Sequence, residues 1–510
     1  IVLGGLMILT GCGGGGGGGG GGSGGGGGSG VVPDPNPTPI TTLTSPAGAR
    51  VVNFPVVGTS VTVSNFANTE TTSVFLVNNR TSAKSVAVSG SLSTTANVSF
   101  TEMDANIALH PGRPIPDADF QQRLRNEEKK RILGPKSSAS VVKNINRDTA
   151  GAVVQFYNYY TPSTRITGTC QLIAALSPSV NLNFYIDNSL LGNPTAVGWI
   201  SELAVEFQRV YPIIHSYFGV EPPANWNGAV DSDITVLLIQ NMDGSATGNT
   251  AGYFNSADLY TGASSNQRKI FYLNYNGSIS LSTIKSTVAH EFQHMVNFYQ
   301  RSVKGVSEAD WLNEAMSAYA EHVCGYPAAT NNWSKCGEVQ DYLAAVDKTN
   351  LVESPWAQSF EHYGQVYLFG VWLGHNYGVT TVASGYKSVA SILASSKVGA
   401  SAVSEFCGNE AFDNVFAKFM AALYINDSTG DTVYGFPGFD LMKTYSFPGQ
   451  GDWILNGPTL TKNTQGFPFT TSPALTIYPY SCAYVELTGG NGTNLHLAVP
   501  DTISVLQLTR

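Results

Sequence analysis

The stretch from Ser282 to Gln300 constrains this chain more than any other. Ile284, Val288, Phe292, Met295 and Tyr299 recur at steps of three and four, and Ser286, Gln293, Asn297 and Gln300 fall on the opposite side, so a helix with one buried stripe is expected. Within it stands His290-Glu291-Phe292-Gln293-His294. Residues four apart project from one side of a helix a turn from each other, so two imidazoles at this spacing can ligate one metal ion from a single rigid element. Both histidines and Glu291 fall in the sector beside the apolar stripe, which suits the floor of a cleft. Glu291 is then placed to take a proton from a metal-bound water. The bland alternative is a chance pentapeptide with core or surface histidines.

A third ligand argues against chance. Ser307 to Asp310 reads as an S-x-x-D capping box, which predicts a second helix from Trp311 through Glu321. Glu314 lies in its first turns, far enough beyond His294 for the first helix to end near Gly305 and the chain to turn back. Two histidines and one glutamate leave a coordination position open for water, as in catalytic zinc sites. The metzincin pattern is excluded, because Asn297 and Gln300 stand where that pattern has Gly and His.

His290-Glu291-x-x-His294 followed by Asn313-Glu314-Ala315-x-Ser317 resembles the thermolysin-like glutamate-zincins. The wider context is similar to the hyicolysin family of secreted zinc metallopeptidases, through Asn183 to Asp187, Asp233 to Leu238, Ala251 to Phe254 and Ile270 to Leu273. The likeness covers roughly residues 165 to 425. It implies one Zn2+ per chain on His290, His294 and Glu314, Glu291 as general base, and protein or peptide substrates held along an edge strand beside the metal. One departure stands out: the aspartate that orients a histidine ligand in thermolysin-type enzymes is replaced by Ala318. A ligating imidazole almost always donates its second N–H to some partner. Glu321, two turns beyond Glu314 on the same face, is the candidate; the alternative is an ordinary solvated glutamate. For the oxyanion of the attacked carbonyl, the stretch from Ser359 to Tyr367 offers His362 or Tyr363, and the spacing does not choose between them.

The rest of the chain suggests an α+β architecture, a thermolysin-like zincin catalytic domain with flanking all-β domains. Residues 1–12 end in Leu9-Thr10-Gly11-Cys12, the pattern of a bacterial lipoprotein whose cysteine is lipidated. No initiating Met or basic segment precedes this apolar run, so the signal reads as truncated. Residues 13–46 form a Gly- and Pro-rich tether. Alternating Thr, Ser and apolar residues suggest a small β-sandwich-like domain over 47–104. Residues 105–150 form a polar connector, helical over 117–136, readable as a solvated linker or as a processing or propeptide segment. The catalytic domain is expected over 151–425, with strands near Val153 to Tyr157, Cys170 to Leu172, Val180 to Ile186, Ile234 to Gln240 and Lys269 to Asn274, and a helix from Ala196 to Tyr217. A C-terminal β-rich region occupies 426–510.

The remaining residues add partners and exclusions. A net charge of −9 argues against nucleic acid. With Cys12 assigned to lipid, Cys324 and Cys336 are the expected disulfide of an oxidising compartment. His110, His215, His322, His375 and His496 lack a partner at ligand spacing. Asp231, Asp233, Asn241 and Asp243 suggest calcium only weakly, turn chemistry being the better reading. Together these features imply a lipid-anchored zinc endopeptidase of the bacterial cell envelope, held to the membrane through Cys12. Gly13, where an aspartate would favour retention at the inner membrane, favours the outer membrane or cell surface. The alternative is a surface adhesion or binding lipoprotein with an inactive metallopeptidase-like domain. An exopeptidase would need a site for a peptide terminus that the sequence does not display. Oligomeric state and cleavage preference leave no mark in the sequence.

Overall fold

In the computed structural model, Ser280 accepts the Thr283 N–H at 3.2 Å and starts the helix that carries the histidines. Gly305, in the left-handed conformation at φ 70°, closes it. The structure describes residues 117–134 and 148–487 apart from short internal stretches, and the backbone of β-strands within 42–91 and 495–509. Cys12, the tether and His110 lie outside the described residues.

Six strands make the central sheet: β1 (Val153–Tyr157), β2 (Arg165–Ser177), β3 (Val180–Asp187), β4 (Ile234–Gln240), β5 (Gly252–Phe254) and β6 (Lys269–Tyr275). Their spatial order is β5-β6-β4-β3-β2-β1. Strands β3, β4 and β6 run parallel, and β5 is an antiparallel edge strand on β6. The parallel strands read as continuous apolar runs because both faces of the sheet are covered. Along β4, Ile234, Val236 and Leu238 enter one core cluster, and Leu237 and Ile239 enter another on the opposite face.

Helix α1 (Ala118–Leu133) precedes the sheet; α2 (Pro194–Phe218) and α3 (Leu281–Lys304) cover its first face. Ile284, Val288, Phe292 and Met295 of α3 are fully buried there, with Phe292 edge-on to Phe207 of α2 at 5.0 Å. After α3 the chain continues through α4 (Asp310–Val323), α5 (Trp333–Ala344) and α6 (Phe360–Tyr377). The capping box expected at Ser307 does not form, since α4 starts at Asp310 with Ala309 as its uncapped N-cap. The reason is Glu308, which pairs with the buried Arg301 and accepts the N–H groups of Ala309 and Gly399 at 2.9 and 2.8 Å, fixing the chain by a different contact.

The two flanking β-regions are not separate domains. Strand Thr72–Asn78 lies between Ser481–Leu487 and Ile503–Thr509, and Arg50–Phe54 pairs with Ile503–Thr509. In a second sheet Leu495–Ala498 lies between Ser60–Val63 and Ser89–Ser91. The physical reason is backbone pairing: among the described strands of these two sheets, each end of the chain supplies only one pairing within itself, so the other ladders require both ends. This joint β-unit is tied to the helices by Tyr484, whose hydroxyl donates to the Met420 carbonyl at 2.8 Å, and by the Cys482 N–H, which donates to the Val346 carbonyl at 3.1 Å. Among the described residues no helix is long and apolar enough to cross a membrane.

Candidate metal centre

Two consecutive helices build the centre. Helix α3 presents His290 and His294 one turn apart, and the first turns of α4 bring Glu314 opposite them. His290 Nε2 lies 3.4 Å from Glu314 Oε2, and His294 Nε2 lies 3.7 Å from Glu314 Oε1. One ligand atom from each of the three residues fits within 4.8 Å of the others, a grouping of three or more that no other His, Cys, Asp or Glu residues form among the described residues. A tetrahedral zinc with bonds of about 2.0–2.2 Å spaces its ligand atoms by roughly 3.3–3.6 Å, so the donor set fits such an ion. Glu314 Oε2 is buried without a hydrogen-bond donor, the state of a carboxylate oxygen that a cation would satisfy.

The outer nitrogens of both imidazoles are held. His290 Nδ1 donates to Glu321 Oε1 at 2.9 Å, and His294 Nδ1 is 3.0 Å from both Asn313 Oδ1 and Ser317 Oγ. This leaves both Nε2 atoms facing Glu314. Glu321 is itself fixed: Asn332 Nδ2 donates to its Oε2 at 2.8 Å, and the Lys335 ammonium lies 3.4 Å from its Oε1. A carboxylate thus reaches His290 from one turn farther along α4 than Ala318. Asn313 and Ser317, noted in the sequence only as part of a motif, serve His294.

Burial and neighbouring charge set the protonation of the group. Burial alone would lower His290, but the neighbouring carboxylates of Glu314 and Glu321 hold it up to about 10. His294 goes well below the usual imidazole range, through burial and the nearby Arg125 guanidinium. Burial would raise Glu314, yet the two histidines and Arg125 hold it well below the carboxylate range. Burial lifts Glu291 to about 7, with Glu314 adding to the effect and His290 opposing it.

A cavity of about 420 Å³ opens beside His290 and Glu291. Thr250 to Gly252 at the start of β5 form one wall, and Trp333, Lys335, Glu338, Tyr363 and Trp453 stand among the others. Gly252 is needed for the close approach of β5 to α3, since a Cβ there would sit 2.7 Å from Thr287 Cγ2 and from the Tyr272 carbonyl. The structure brings Tyr363 into the cavity and turns His362 elsewhere. The His362 Nδ1 is 2.8 Å from Ser359 Oγ and its Nε2 is 3.3 Å from Glu353 Oε1.

Other expected groups take different places. Cys324 and Cys336 are fully buried free thiols, so the expected disulfide is not formed. Both sit in the apolar core, where burial pushes the thiols up, Cys336 to about 12 and Cys324 higher still. Asp233 accepts the Asn181 N–H at 3.0 Å, a contact of chain geometry. His215 pairs with Glu221, and His322 Nδ1 lies 2.9 Å from the Tyr367 hydroxyl. Sequence reasoning missed Arg125, Asn332, Lys335 and Trp453. Arg125 stood in an apparent polar connector, and Trp453 in the region assigned to a separate C-terminal domain.

No family model matches the chain. It is similar to the neutral metalloprotease ShpI of Staphylococcus hyicus, 30% identical over 155 residues, which is 28% of this chain. The chain spans about a third of that relative's length, with 34% covered. The likeness and the His290, His294 and Glu314 cluster together support a metallopeptidase relationship and a bound metal ion.

Proposed function

We propose that the protein is a zinc-dependent endopeptidase of the hyicolysin type, cleaving extracellular proteins. The observation that carries this reading is the convergence of two imidazole Nε2 atoms on the Glu314 carboxylate, with Glu291 beside them on the cavity wall. Zinc bound by His290, His294 and Glu314 would polarise a water and the substrate carbonyl. Glu291 takes the proton of the attacking water and passes it to the leaving amine, a role that its place beside His290 on the cavity wall suits. Tyr363 supports the carbonyl oxygen by donating its hydroxyl from the cavity wall. The β5 edge receives the extended peptide by main-chain hydrogen bonds.

The test is elemental analysis with casein digestion, run with and without a chelator. About one zinc per chain and chelator-sensitive digestion are expected. A full zinc complement retained in His294→Ala would remove this site from the account.

The Leu9-Thr10-Gly11-Cys12 pattern supports a further proposal, that Cys12 is acylated and anchors the enzyme to a bacterial envelope membrane. Cys12→Ser, expressed with a complete signal sequence, should then leave the membrane fraction. Equal membrane partition of parent and variant would assign the anchor elsewhere.

A further inference from the structure

Part of the cavity wall beside the metal centre comes from beyond the catalytic helices and sheet. Trp453 belongs to a two-stranded hairpin, Thr444–Phe447 with Gly451–Ile454, in which Tyr445 lies opposite Trp453. The hairpin is held at both strands. The Asp440 N–H donates to the Tyr445 hydroxyl at 2.8 Å, and Gln340 Nε2 of α5 donates to the Ile454 carbonyl at 2.7 Å. The Trp453 indole then lies against α5 at Gly337, where a Cβ would stand 2.9 Å from Trp453 Cη2 and 3.0 Å from its Cζ3. Glycine is a poor helix former, so one inside a helix needs a reason. Within Trp333–Ala344 the reason for Gly337 is room for the indole.

Trp333 stands one turn before Gly337 on the same helix. Its ring and that of Trp453 are nearly parallel, with centroids 6.3 Å apart and planes 21° from each other. Both indoles line the cavity, and both stay only partly buried. Phe360 and Tyr363 of α6 line it too, whereas Ile279 is the one large aliphatic side chain among the described lining residues. Lys335 and Glu338 also line the cavity, but their charges meet each other at 3.0 Å and offer no net charge to a ligand. The indole faces do offer something. Covering them removes apolar surface from water, and a ring packed on a ring adds an offset-stacked or edge-on contact that an aliphatic chain lacks.

We infer that Trp453, seated by Gly337 and paired with Trp333, is a specificity-determining residue, and that this aromatic wall takes an aromatic side chain of the substrate. The inference rests on the peptidase reading above. One cavity of about 420 Å³ holds Glu291, Tyr363 and both indoles, so the ring it takes belongs to a residue close to the cleaved bond. The hairpin thereby has a part in the reaction, although the sequence places it in a C-terminal β-rich region apart from the catalytic domain.

The experiment first locates the cuts that the full chain makes in casein by mass spectrometry, which identifies the selected position. Fluorogenic peptides with Phe, Leu or Ala at that position are then compared by kcat/KM for the parent, Trp453→Leu and Gly337→Ala, with zinc content measured on each preparation. Trp453→Leu keeps apolar bulk and removes the ring. Gly337→Ala keeps the ring but displaces it, and it favours the helix, so a loss of selectivity there is not a loss of fold. The parent should prefer Phe over Leu by about fivefold, and both variants should bring that ratio close to one at constant zinc. Equal hydrolysis of the Phe and Leu peptides by the parent, or a ratio that survives in either variant, overturns the subsite and leaves the peptidase reading standing. A zinc-loaded parent that cuts neither casein nor the peptides overturns the peptidase reading and the inference with it.

Discussion

The metal centre and the β-unit are built in opposite ways. All three metal-ligand candidates lie between His290 and Glu314 on two consecutive helices, and the partners of their outer nitrogens, Asn313, Ser317 and Glu321, stand on the second of those helices. The β-unit joins residues from opposite ends of the chain: Phe54 lies opposite Val505, and Val77 opposite both Cys482 and Ser504. A centre of the first kind depends on few side chains, each indispensable. A unit of the second kind spreads its stability over ladders that no single side chain controls, and closing it requires the whole intervening chain to be in place.

The largest effect expected from this contrast is at the ligands. His294→Ala should abolish metal retention and chelator-sensitive hydrolysis while the β-unit keeps its hydrogen-exchange protection; metal analysis and exchange on one sample check both halves. Next comes Tyr363. Its change to Phe should lower turnover by on the order of 10²-fold at constant zinc, whereas His362→Ala should change it little, because only Tyr363 faces the cavity. Steady-state kinetics on a fluorogenic peptide would show it, and the reverse ranking would reassign the donor.

Glu321→Gln tests how local the centre is. Loss of the carboxylate that accepts the His290 Nδ1–H should weaken metal binding by about 10–100-fold, read by competition with a chromogenic chelator. An unchanged affinity would leave Glu321 as a structural partner of Lys335 and Asn332 only. For the β-unit, deleting residues 40–91 should expose the 481–509 strands to fast exchange while α3 stays protected. Equal loss in both regions would mean that the two fold as one cooperative unit.

The smallest expected effect is none. Cys324 and Cys336 are free, so a reductant should leave the melting temperature unchanged. A disulfide closing so short a loop would contribute about 3 kcal/mol, and its reduction would lower the melting temperature by several degrees.

Legibility in the sequence follows the same division. Helix α3 announces itself because its apolar period and its terminal Gly305 agree, while its Ser280 cap emerged only in the fold. Strand β4 was readable to its end residues as an apolar run bounded by polar turns. The capping box at Ser307 misled because the pattern ignores Glu308, whose partner Arg301 belongs to the preceding helix. The interleaving of the two β-regions left no local trace, since strand pairing depends on backbone groups that every sequence carries. Arg125 was illegible for a related reason: a helix rich in charge looks solvated, and only the fold shows Arg125 and Glu128 turned inward while Lys130 points out. The choice between His362 and Tyr363 needed the direction of side chains at the start of α6, which adjacent positions in a sequence cannot give.

The central claim is that Glu291 activates water at a metal held by His290, His294 and Glu314. Its most direct test is Glu291→Gln, assayed for bound zinc and for peptide hydrolysis in one preparation. Glutamine keeps the shape of the side chain but cannot accept the proton. The account predicts about one zinc per chain in parent and variant alike, with hydrolysis nearly lost in the variant. Near-parental turnover at equal zinc content would contradict it.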